Sequence, residues 1–281
     1  MLIANPIYDS VFKYLLEDIQ IARQLLSIII GEEIVEINVK PQEKSGKSEK
    51  YILTIFKVDF NAVVRTADGS LKKIVIELQK GKNAFDVMRF RRYLGDGYSN
   101  PDVVNGIKMA IPIVAIYFLG FELSIKRAIL KIGRIYTDVR NGEELEQKDD
   151  FIEKLTHDCY VIQIPSLPQN TQSELEKVLS VFDQRFTISD RKSVLDYNKI
   201  PDNETQSLIL KRLSNAVVSS EVQEQILMEE EMEFSIEQTI RDVEVQLEIK
   251  DKELEVKDKE IEVKDKEIEG LLKEIERLRG Q

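Results

Sequence analysis

Two carboxylates in this sequence stand where strand geometry would bring them side by side. Residues 51–64 (YILTIFKVDFNAVV) and 71–79 (LKKIVIELQ) are rich in β-branched and aromatic residues and flank Ala67-Asp68-Gly69-Ser70, so they read as a hairpin around a turn. Side chains on a strand alternate faces with period two. The even positions Ile52, Thr54, Phe56, Val58, Phe60, Ala62 and Val64 make a nearly unbroken apolar face, as do Ile74, Ile76 and Leu78. The odd positions then set Asp59 and Asn61 with Lys73, Glu77 and Gln79 on the opposite face of the same sheet. Neighbouring like charges repel, and a cation held between them is the usual compensation at a functional site. Mg²⁺ fits, because it takes about six oxygen ligands, one or two of them carboxylates. Such an ion lowers the pKa of a bound water and neutralises charge building on a phosphate. In this reading Asp59 and Glu77 are the metal ligands, and Gln79 orients the water or the phosphate.

The surrounding text supplies elements to position that face. Apolar residues from Tyr8 to Ile29 follow the helical period and Gly31 gives a stop, predicting one helix over 7–30. A short strand over 34–39 and a polar loop precede the hairpin. After it come a helix over 83–98, closed by Ser99-Asn100-Pro101, and a strand over 113–119. A strand reached through a crossover helix pairs most naturally in parallel, so the order αβββαβ predicts an α/β fold with a mixed central sheet flanked by helices. Residues 158–164 add a strand, and 172–186 and 205–218 read as helices.

These motifs resemble a known family. The element order with an Asp-bearing strand followed by a Glu-x-(Lys or Gln) strand is similar to the PD-(D/E)XK restriction-endonuclease-like core. More narrowly, N-P-I-Y-D-x-V-F-K-Y-L from Asn5, V-D-F at Val58, I-E-L-Q at Ile76 and R-x-x-x-Y from Arg89 to Tyr93 resemble the recombination-promoting, transposase-like nucleases over residues 5–170. The resemblance implies Mg²⁺-dependent cleavage of DNA, with Mn²⁺ able to substitute, in recombination or mobile-element biology. It puts Asp59 and Glu77 on the metal, Gln79 where most of the superfamily carries lysine, and Val58 where many carry proline. Asp9, at the start of the first helix, and Lys80 are accessory candidates. Arg89, Arg92, Tyr93 and Lys73 are candidate DNA contacts, arginine being suited to gripping phosphate. The alternative is a catalytically inactive DNA-binding or oligomerising protein that keeps the fold.

Charge is consistent with that partner once it is located. Of the net −11, residues 221–281 carry all of it, with 21 acidic and 10 basic residues, leaving 30 of each in residues 1–220. Between Arg65 and Arg92 eight basic residues face three acidic ones, a local patch compatible with phosphate. His157 is the only histidine and Cys159 the only cysteine, which excludes a His-metal cluster, a cysteine zinc site and an internal disulfide. With no signal peptide and no membrane-length apolar run, a reducing cytoplasm fits best.

The expected organisation is a nuclease core over 1–170, a helical extension over 171–220 and an acidic helical tail over 221–281. The tail repeats KDKELEV, KDKEIEV and KDKEIEG with period seven. Its apolar columns, Leu254-Ile261-Ile268 and Val256-Val263, lie about 200° apart around a helix, and only Ile268, Leu271, Ile275 and Leu278 make a full coiled-coil pattern. A weak homodimer through that stretch is expected.

Overall fold

The computed structural model describes residues 1–39, 60–81 and 86–279. A short first strand, β1 (Leu2–Ala4), leads into two helices, α1 (Asp9–Glu17) and α2 (Ile19–Ile30). The single helix expected over 7–30 is broken at Asp18. There the backbone is extended and the carboxylate caps α2, accepting from the Gln20 and Ile21 amides at 3.0 and 3.2 Å. Gly31, at φ 73°, closes α2 in the left-handed conformation that favours glycine.

Strand β3 (Phe60–Thr66) runs antiparallel to both its neighbours, β2 (Ile34–Val39) and β4 (Leu71–Gln79). The β3–β4 turn is held by Asp68, which accepts from the Thr66 hydroxyl and from the Ser70 amide and hydroxyl; these bonds, Thr66 foremost, pull its carboxyl down to about 2. Helix α3 (Asp86–Ser99) crosses to a hairpin, β5 (Asp102–Val104) and β6 (Ile107–Met109), turned by Asn105 and Gly106 at φ 51° and 80°. Strand β7 (Ile113–Leu119) then lies parallel to β4, with Ile113 beside Lys73 and Leu119 beside Gln79. Beyond it are β8 (Ile129–Ile132), a small hairpin of β9 (Tyr136–Asp138) and β10 (Glu143–Leu145), helix α4 (Asp150–Leu155) and β11 (His157–Gln163). The central sheet has the order β2-β3-β4-β7-β11-β8, parallel from β4 through β7 to β11 and antiparallel outside it, as a mixed sheet was expected to be.

The rest of the first unit is α5 (Glu174–Leu179) with two following 3₁₀ turns, β12 (Thr187–Ile188), β13 (Arg191–Asp196), α6 (Glu204–Val218) and the start of α7 (Ser220–Arg279). The helix expected over 172–186 is therefore confined to six residues before the turns. Residues 171–220 are also no separate helical extension. They contain β13, which pairs with β1, and Met1–Ile226 form one compact unit. Leu227–Gln281 form the second, in which the described chain is a single helix, as the tail was expected to be. Among the described residues no helix is long and apolar enough to cross a membrane.

The sheet has a core on each face. One holds Ala62, Val64, Ile74, Ile76, Leu78, Ile116 and Phe118 against apolar residues of α1, α2, α5 and α6, with Phe12 edge-on to Phe118 and Phe182 at 5.3 and 6.1 Å. The other holds Val75, Ile113, Ala115 and Val161 against Phe90, Tyr93 and Leu94 of α3. Covered on both sides, β7 reads IVAIYFL, the continuous apolar run of a central parallel strand.

Candidate active site

The even–odd division of β4 holds. Ile74, Ile76 and Leu78 enter the larger core, while Val75 belongs to the opposite face, which also receives Lys73, Glu77 and Gln79 by alternation. That face is not open, because α3 covers part of it. Glu77 is 2% exposed, in the centre of the sheet near the C-terminal end of β4. Burying a carboxylate is costly unless ions or hydrogen bonds compensate. Its neighbour across the parallel ladder is Tyr117 of β7. Burial, aided by Cys159 and Glu77 nearby, pushes the Tyr117 phenol well above its ordinary range, so it stays protonated at neutral pH. Its ring packs at a tilt on Phe90 of α3, with centroids 3.9 Å apart. Sequence reasoning missed Tyr117, although it is the one polar side chain among Ile113, Ala115, Tyr117 and Leu119, the alternate positions of β7.

Gln79 ends β4 two residues on, half-buried, and its carbonyl accepts from the Gly120 amide at 2.7 Å. A Cβ on Gly120 would press into the Lys80 carbonyl and meet Ile7 Cδ1 at 3.0 Å, so three points of the chain converge here: Ile7, Lys80 and Gly120. Lys80 places its ammonium 3.8 Å from the centre of the Tyr8 ring, and Tyr8 belongs to the larger core. Lys80 thus lies toward the face opposite Glu77, as regular alternation requires. Asp9 opens α1 next to Tyr8 and forms an ion pair with Lys13 one turn on. Asn5, 1% exposed, has a framework role: its amide donates to Gln184 Oε1 at 2.8 Å and to the Lys192 carbonyl at 2.9 Å.

Asp59 lies outside the described residues; the last described pair of the β3–β4 ladder is Phe60 with Ile76. The remaining sequence candidates separate. Lys73 is at the far end of β4, roughly 20 Å from Gln79 at 3.3 Å per residue, and its ammonium is buried in an ion pair with Asp102 at 3.3 Å. Tyr93 is 8% exposed and packs in the α3 core, whereas Arg92 on the same helix is exposed. Arg89 lies within α3, and its side chain is outside the description.

The donors at this end of β4 are oxygens, from Glu77 and Gln79, a hard pair that suits Mg²⁺ rather than zinc. Among the described residues no cluster of three or more histidine, cysteine, aspartate and glutamate side chains occurs. The nitrogen and sulfur donors lie on β11: His157 hydrogen-bonds Tyr98 at 2.8 Å, and burial pushes the Cys159 thiol up to about 12, leaving it inert. A cavity of about 460 Å³, lined by Lys72, Ile113, Arg134, Glu153 and Asp158 among others, sits at the opposite, N-terminal ends of β4, β7 and β11. It is no part of this chemistry. Compared with protein-family models, with curated proteins and with solved structures, the chain matches none.

Proposed function

We propose that this chain is a Mg²⁺-dependent DNA endonuclease with a PD-(D/E)XK-like core, hydrolysing phosphodiester bonds. The observation that carries the reading is Glu77, a carboxylate buried at the C-terminal end of a central strand parallel to β7. Ligands of open α/β sheets characteristically sit at that end of the strands. Asp59 enters from the sequence alone, through strand parity and family resemblance. In this reading Asp59 and Glu77 would hold the ion, which when bound would supply an activated water and charge neutralisation at the phosphate. Gln79 holds the water or a phosphate oxygen in line through its amide. Tyr117, kept protonated, donates toward the same face. Phe90 excludes bulk solvent beside it. Arg92, exposed on α3, grips the DNA backbone, with Arg89 assigned beside it from the family pattern. Lys73 is assigned to the fold instead, because its charge is spent on Asp102.

The test is nicking of supercoiled plasmid in Mg²⁺ and in Mn²⁺. Wild-type protein is expected to nick, and Asp59→Ala and Glu77→Gln to lose detectable nicking. Cooperative melting of Asp59→Ala and Glu77→Gln, checked alongside, separates loss of chemistry from loss of fold. Retention of DNA without cleavage in either metal would sink the enzymatic reading in favour of a silent DNA-binding protein. Absence of any salt-sensitive DNA shift would sink both.

A further inference from the structure

From Leu227 the second unit is described through Arg279 as one uninterrupted helix, so a heptad frame can run its whole length without a break. Setting Ile240 at position a also puts Leu247, Leu254, Ile261, Ile268 and Ile275 at a, six successive heptads. Position d is Ile236 and Val243 at one end and Leu271 and Leu278 at the other, with Lys250, Lys257 and Lys264 between them. The six a residues are 46–57% exposed among the described residues, an apolar stripe along one side of the helix.

The repeat itself says what covers the stripe. In KDKE(L/I)EV the lysine at d is followed by aspartate at e (Asp251, Asp258, Asp265) and then by glutamate at g (Glu253, Glu260, Glu267). In a parallel pair a d side chain reaches the partner's e position, so each seam lysine meets an acid supplied by an identical sequence. Among the described residues Lys250, Lys257 and Lys264 form no ion pair within their own helix. The pairs that do form around the repeat, Glu248 with Lys252 at 3.2 Å and Glu269 with Lys273 at 3.0 Å, lie at b and f, away from the seam. Ile at a with Leu at d in the last two heptads is the combination that favours two parallel strands. Val256 and Val263 fall at c, about 200° from a, on the outside of such a pair.

We propose that this helix is the interface of a parallel, in-register homodimer. A second copy packs along the column from Ile240 to Ile275, apolar at both ends and bridged by lysine to acid through the middle. Sedimentation equilibrium on the full chain should return twice its 32.5 kDa mass. Leu254→Lys with Ile261→Lys should weaken association by about tenfold or more, Val256→Lys with Val263→Lys should leave it unchanged, and Lys250→Leu with Lys257→Leu and Lys264→Leu should tighten it. Mild oxidation of Leu271→Cys should give a disulfide-linked dimer, since d faces d only in the parallel register. A chain that stays monomeric at all concentrations overturns the proposal. So does a dimer indifferent to the a-column change, or one that Leu271→Cys fails to cross-link.

Discussion

Lys73 and Glu77 share a strand, a face and a similar depth. The Lys73 ammonium meets the Asp102 carboxylate at 3.3 Å, with both side chains 8% exposed, which ties the start of β4 to the β5–β6 hairpin. Breaking one half of a buried pair strands the other charge, whereas replacing both with apolar groups need not. Lys73→Ala should therefore lower stability to urea by about 3 kcal/mol or more. The double change Lys73→Met with Asp102→Leu should recover most of the loss; equal losses in the single and double variants would show that the pair is not the cause. The sequence placed both residues on the right face by parity alone. It could not tell a lysine reaching for phosphate from one reaching for Asp102, because that partner comes from a hairpin 29 positions away in the chain. Nor did it find Tyr117, whose place beside Glu77 depends on the β4–β7 register.

The elements around the site depend on close approach at one point. Gly120 follows β7, and its missing side chain lets that loop lie against the Lys80 carbonyl and Ile7. Gly120→Ala cannot be absorbed by a rotamer change, since the nearest atom is backbone. It is expected to cost about 1–3 kcal/mol, the range for forcing atoms into a packed site. The same variant should impair plasmid nicking, since it shifts the end of β4 that carries Gln79. Chemical denaturation alongside the nicking assay checks both, and wild-type values in each would refute the role given to this contact. Elements with long, strongly patterned text were legible. Residues 113–119 and 71–79 were read to their observed ends because a continuous apolar run reflects burial on two faces and alternation reflects one apolar face. Where local chemistry interrupts a periodic run, the pattern misleads: Asp18 caps a second helix inside what periodicity reads as one. The β5–β6 hairpin went unread although Asn105-Gly106 is its turn signal, because three-residue strands are too short to show alternation.

At the scale of the whole molecule, the boundary expected at residue 170 divides a single core. Val178, Phe182, Leu195, Tyr197, Ile209 and Leu213 are fully or almost fully buried in the same cluster as α1, α2 and the sheet. Arg212 of α6 lies 3.6 Å over the Tyr14 ring and donates to the Tyr14 carbonyl at 2.7 Å. No run of composition announces such packing, because these residues form elements too short or too ordinary to declare their partners. A chain ending at residue 170 should aggregate or bind a hydrophobic dye, whereas one ending at residue 226 should melt cooperatively. Cooperative melting of the shorter piece would restore the boundary at 170. The β1–β13 ladder has a consequence in time as well. The Met1 ammonium donates to the Tyr197 carbonyl, 196 residues on, and Ile3 and Ala4, fully buried in the finished unit, lie against Leu195 and Val194. At about 5–20 residues per second of synthesis, the wait for that partner strand is roughly 10–40 s. β1 therefore waits unpaired until β13 has been made, and until then its edge is unsatisfied.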